Sequence, residues 1–217
     1  MNRFLDRIAY KFRRICIPNL MLYIVIAIAA VYVVELFVPT VPLSIYLFFS
    51  RDLILAGDFW RVITWIFIPS TDRIVGLIFA LYLSWFIGSS LENAWGSFKF
   101  NLYYLVGIIA TVAAGFITGL TTNLYLNTSM FFAFAAIYPD SELRLFFFLP
   151  IKAKWLALVD LIFFIIAFIF GTWYVRAAII AALLTFLLFF YEDMGKSIKN
   201  QIYYFKHRNK YKNTWRK

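Results

Sequence analysis

The sequence predicts an all-α membrane protein: one bundle of six membrane-spanning helices, with a large half-buried first loop and a short central fourth helix. Three observations predict it. Hydrophobic residues make up 64% of the 217-residue chain and charged residues only 15%, against about 25% charged in a soluble domain. Apolar runs of near-spanning length recur between positions 19 and 191. Of the 21 Lys and Arg, 17 fall on one side of the resulting topology; only Arg51, Arg61, Arg73 and Arg176 fall on the other. The positive-inside rule therefore puts both termini in the cytoplasm.

Residues 1–18 carry Arg3, Arg7, Lys11, Arg13 and Arg14, with Phe4, Leu5, Ile8, Phe12 and Ile15 between them. That is the pattern of a basic amphipathic segment lying on a membrane surface, and Pro18 ends it. The six-span domain covers 19–193. Its first span is 19–37, broken only by Glu35 near the end, and it is expected to be retained because no small-residue cleavage site follows it. Residues 39–73 hold two apolar stretches, 43–49 and 62–68, that are too short to cross. With Arg51, Asp52, Asp58 and Arg61 between them and Trp60 and Trp65 suited to headgroup depth, they read as short helices half-buried at the outer interface.

The second span is 74–91, followed by a tight polar turn from Glu92 to Gly96. The third runs from 99 to about 120. Its Gly107, Thr111, Ala114 and Thr118 form one small-residue stripe, and Gly115 with Gly119 forms a GxxxG pair, both suited to close helix packing. The fourth, 124–138, is short, polar at Asn127, Thr128 and Ser129, and stopped by Pro139 and Asp140. Ser129, Ala133 and Ala136 are expected to make its small face, and the simplest expectation for Ser129 is a hydroxyl bonded back to its own helix. A loop follows over 139–154. The fifth span, 155–170, carries Asp160 about five residues in; 171–176 is a tight outer turn; and the sixth, 177–191, has Ala178, Ala182 and Thr185 as its small face. The tail over 194–217 is basic, with aromatic residues interleaved.

Composition narrows the chemistry. Cys16 is the only cysteine and His207 the only histidine, so no internal disulfide, no cysteine metal cluster and no cofactor is expected. The net charge of +10 reads as orientation and attraction to anionic lipid at the two basic termini, not as nucleic-acid binding. An intramembrane carboxylate is a functional candidate by default, so Asp160 stands as one, against the alternative that it is shallow enough to reach cytoplasmic water. Arg61 and Trp60 read as anchors of the first loop, the guanidinium bonding loop carbonyls, and Glu92 as a cap for the turn and for the start of the third span.

Two stretches then resemble a known family. Gly57-Asp58-Phe59-Trp60-Arg61-Val62-Ile63-Thr64-Trp65 looks like the Trp-Arg motif of the first loop of rhomboid-superfamily proteins. Gly88-Ser89-Ser90-Leu91-Glu92-Asn93-Ala94-Trp95-Gly96 resembles the Gly…Leu-Glu…Gly signature that closes their second span. The resemblance covers roughly residues 20–193. It implies a six-span fold whose active members are intramembrane serine proteases, with the nucleophile in Gly-x-Ser-Gly at the start of the fourth span and a histidine base in the sixth. Here the matching residues are Asn127-Thr128-Ser129-Met130: the serine is present and both glycines are absent. No histidine stands near Arg176 to Ala178, and Gly76 and Ala80 bring no side-chain donor where the family helps to hold the oxyanion.

A serine hydroxyl is a poor nucleophile until a neighbouring base takes its proton. The resemblance therefore points to the inactive rhomboids, with Phe189-Phe190-Tyr191-Glu192-Asp193 similar to the derlin ending of the sixth span. It implies a non-enzymatic protein that binds transmembrane helices of clients in quality control or trafficking, with local bilayer thinning. A small transporter or channel built on Asp160, Ser129 and Thr128 is the alternative, and an active protease using Ser129 ranks last. The lack of long soluble domains points to a bacterial plasma membrane.

Overall fold

A computed structural model describes residues 16–38, 40, 42–71, 73–145 and 149–189. The basic segment over 1–15, the tail over 194–217 with His207, and the derlin-like residues after Phe189 lie outside the described residues.

Among the described residues, four helices are long and apolar enough to cross a membrane: α1 (Leu20–Phe37), α5 (Ile74–Trp95), α6 (Ser97–Thr118) and α8 (Ala153–Phe170). Between α1 and α5 come three short helices, α2 (Leu43–Leu47), α3 (Arg51–Leu55) and α4 (Arg61–Thr64), and a 3-10 turn at Trp65–Phe67. Two shorter apolar helices, α7 (Leu124–Ile137) and α9 (Trp173–Phe189), occupy the fourth and sixth predicted positions. At 1.5 Å per residue α7 is about 21 Å long, short of a hydrocarbon core of roughly 30 Å. The fold is thus that of a mainly helical membrane protein. α8 makes the point: its mean hydropathy is 2.3, yet only 11% of its residues are buried inside the protein, and Phe163 and Phe170 are 63% and 83% exposed. Such a surface suits lipid, where apolar side chains lose nothing by facing outward.

α7 sits at the centre, packed on α5, α6 and α8. Its inward face is Leu126, Ser129, Met130, Ala133, Phe134 and Ala135. The small face expected from Ser129, Ala133 and Ala136 needs correction, because Ala136 is exposed. Of the stripe on α6, Gly107, Thr111 and Ala114 are buried, with Gly115 beside them, whereas Thr118 is half-buried. A Cβ on Gly115 would come within 2.7 Å of the Phe49 ring, and one on Gly107 would strike the end of Leu126. Ala178, Ala182 and Thr185 of α9 are likewise buried.

Three boundaries differ from the sequence reading. Glu92 to Trp95 are the last turn of α5 and not a polar turn; the break is Gly96 alone, whose φ of +83° suits glycine. Residues 139–154 are not a plain loop: Glu142–Leu145 and Leu149–Lys152 pair as an antiparallel hairpin, β1 with β2. The backbone continues that pairing at its base, where Ala153 N–H donates to the Ser141 carbonyl and Lys154 N–H to that of Pro139. The outer turn shrinks to Gly171 and Thr172, because α9 begins at Trp173.

Candidate functional site

Two polar knots fix the ends of the bundle. At one end Glu92, buried in the last turn of α5, accepts hydrogen bonds from the Asn19 backbone N–H at 2.9 Å and from the Ser97 hydroxyl at 2.6 Å. One carboxylate therefore joins the starts of α1 and α6 to the end of α5. Gly88, one turn earlier, lets α1 approach: a Cβ there would lie 2.6 Å from Met21 Cβ.

At the other end, the last four carbonyls of a helix lack intrahelical partners, and α2 solves this with side chains from the Trp-Arg motif. Trp60 Nε1 donates to the Tyr46 carbonyl at 3.2 Å. Arg61 donates to Ile45 and Phe48 carbonyls at 2.9 and 3.1 Å, and Thr64 Oγ1 to Leu47 at 2.9 Å. The Arg61 guanidinium also pairs with Asp58 at 2.8 Å and lies over the Phe48 ring. Four successive carbonyls are thus capped by three side chains. Arg61 is only 5% exposed, whereas Trp60 is 53% exposed. The first loop is then stitched to the α6–α7 junction, by Arg51 N–H to the Gly119 carbonyl and by the Asn123 amide to that of Ile68.

Ser129 is fully buried. Its hydroxyl does not bond back to its own helix, as the sequence led us to expect; that bond is made by Thr128, to the Leu124 carbonyl. Ser129 instead pairs with the Tyr103 hydroxyl of α6 at 2.5 Å. The Tyr103 ring is held between Trp95 and Phe189. Arg176, where the family resemblance looks for a base, donates to the Ile169 carbonyl. Tyr103 is the site residue that sequence reasoning missed, and a signal existed: it stands four residues before Gly107, one turn further along the same buried stripe.

Two cavities flank α7, and Ser129 lines neither. One, of about 560 Å³, lies under the first loop between Phe49, Trp65, Asn123, Tyr125 and Tyr174. The other, of about 330 Å³, is a partly open groove between α5 and α8. Those two helices pack on α7 more than on each other, so α7 forms the floor. Ala80, Leu83, Ser84 and Ile87 of α5 line one wall, Leu156 and Asp160 of α8 the other, Asn127 and Thr128 of α7 the base, and Leu143 of the hairpin one end. Asp160 is deeper than the sequence reading placed it. α8 begins at Ala153, so Asp160 is the eighth of 18 residues, about 10 Å along the axis.

Outside the spans, exposed Asp140 ties the hairpin base. Its carboxylate accepts from Lys154 at 2.7 Å, with Lys152 at 3.5 Å. The Lys154 hydrogen bond holds its carboxyl below the usual carboxylate range. Among the described residues, no group of His, Cys, Asp and Glu could hold a metal ion. Compared with protein-family models and with the sequences of curated proteins, the chain matches none.

Proposed function

We propose that the chain is a catalytically inactive, rhomboid-like membrane protein that binds transmembrane segments of client proteins. The observation that carries this reading is the groove between α5 and α8 beside a sealed serine. A groove walled by two lipid-facing helices admits another helix from the side. Ser129 supports no acyl transfer in this arrangement, because its described side-chain partner is a phenol, which is no base for a hydroxyl proton. The carbonyl-capping role of Trp60, Arg61 and Thr64 and the knot at Glu92 support the rhomboid-like part of the reading. They give a structural reason for the two motifs that carry the resemblance.

In this reading both termini are cytoplasmic, the basic ends lie on anionic lipid of a bacterial plasma membrane, and the short α7 thins the bilayer around the groove. A transporter needs a continuous polar path, and the buried hydroxyls of Thr111 and Thr185 are each satisfied within their own helix. The test is photo-crosslinking in cells with the probe at Leu83 or Leu156, and at Ile26 on the exposed face of α1 as control. Adducts with intact single-span proteins from the two groove positions, and not from Ile26, are expected. Equal yields from all three positions, or lipid adducts alone, would contradict the reading.

A further inference from the structure

The groove contains one feature that helix binding alone does not need. Among the described residues, Asp160 is the only charged one lining it. A carboxylate near the middle of a spanning helix is costly unless something pairs with it, and no hydrogen bond or ion pair reaches it among the described residues. On the groove floor the Asn127 side-chain amide is likewise without a hydrogen bond among the described residues, although it sits in the first half of a central helix. Both groups face one lateral groove whose other polar lining is the hydroxyls of Ser70, Ser84 and Thr128, and a carboxylate in such a setting is costly without a partner. Elsewhere in the same bundle the buried charges of Glu92 and Arg61 and the buried hydroxyl of Ser129 each have partners.

We propose that the α5–α8 groove selects transmembrane segments carrying a lysine or arginine at the depth of Asp160, the carboxylate pairing with the cation while the Asn127 carbonyl oxygen accepts a further hydrogen bond. The occupant follows from charge complementarity. A purely apolar helix would leave Asp160 unpaired in the closed interface, whereas a basic residue gains the partner that lipid cannot offer. A lone Lys or Arg in a spanning segment is itself costly in lipid, so pairing relieves both partners. Such residues mark segments that have not yet met their own assembly partner, which is a chemistry by which a client could be told from an ordinary span. This rests on the helix-binding reading above and names the class of client.

The stability consequence runs opposite to ordinary core damage. Asp160→Leu removes an unpaired carboxylate from an apolar wall, so its thermal midpoint is expected at or above that of the wild type, while selective binding is lost. The experiment is fluorescence energy transfer in proteoliposomes between the full chain and synthetic 20-residue transmembrane peptides. One peptide is all-apolar, and one carries a single Lys about 10 Å from the end that aligns with Ala153.

The Lys peptide is expected to bind about tenfold tighter than the apolar one, equivalent to about 1.4 kcal/mol and within the range of intramembrane polar contacts. Asp160→Asn and Asp160→Leu should abolish the difference without lowering the thermal midpoint. Equal binding of both peptides, unchanged in the two variants, would overturn the charge selection and leave helix binding standing. Association of neither peptide would overturn both. A preference for Lys that persists in Asp160→Leu would also overturn the assignment to this residue.

Discussion

Replacing Arg61 by alanine is expected to be among the most destabilising single changes in the first loop, and the structure lets its size be worked out. The guanidinium is 5% exposed and donates to two carbonyls at the end of α2 as well as to Asp58. Charge-assisted hydrogen bonds are worth about 1.5–3 kcal/mol each, so the two carbonyls account for about 3 kcal/mol at the low end. The Asp58 pair adds little, because its carboxylate side is a third exposed and regains water. The guanidinium over Phe48 adds roughly 0.5–1 kcal/mol.

Arg61→Ala should therefore cost about 3–5 kcal/mol, and Arg61→Lys about half of that, because an ammonium keeps the charge but not the fork that reaches two carbonyls at once. The assay is thermal unfolding in nanodiscs of fixed composition, followed by the intrinsic fluorescence of the seven tryptophans. At about 2–4 °C per kcal/mol for a chain of this size, the alanine midpoint should fall by about 6–20 °C. A midpoint within about 2 °C of the wild type, or a lysine variant equal to it, would refute the capping argument.

Further outcomes follow from other contacts. Ser129→Ala and Tyr103→Phe each leave one hydroxyl unsatisfied in a dry interior and should each cost about 1–3 kcal/mol. The double variant should cost clearly less than their sum, as a double-mutant cycle on unfolding would read. Gly88→Ala sets a Cβ against Met21 near its backbone and should cost about 1–3 kcal/mol. Gly107→Ala should cost less in the same assay, because only the far end of Leu126 must move. For Asp140 the folded carboxyl lies below its unfolded value, so its contribution is present above about pH 4 and is lost as pH falls through the lower folded value. Amide-exchange protection of the hairpin base should hold from neutral pH to about 4 and decline below it, and Asp140→Asn should remove that dependence.

The long spans were legible because twenty-residue apolar runs admit little else, and the α6 stripe because Gly107, Thr111 and Ala114 repeat on one face. The anchoring of Arg61 on carbonyls could be anticipated from its donors, but not that α2 would supply two of them, since that depends on where a five-residue helix ends. Ser129 was misjudged for a similar reason: its partner lies 26 residues away on α6, while a back-bond needs only its own turn. The hairpin escaped because the sequence from Leu145 to Leu149 is an apolar run that reads equally as helix or loop, and what orders the two strands is backbone pairing that begins at Pro139 and Ser141. For Asp160 the sequence left open whether the carboxylate is functional or shallow, because its depth depends on where α8 starts, and the helix begins two residues before Trp155.

The central claim is that this bundle binds a helix and leaves it whole. It is tested most directly by reconstituting the purified full chain with a single-span protein captured at Leu83, incubating, and reading both association and chain length of the partner. The account predicts an associated partner of unchanged length, in the wild type and in Ser129→Ala alike. A partner cut within its span by the wild type and left intact by Ser129→Ala would contradict it.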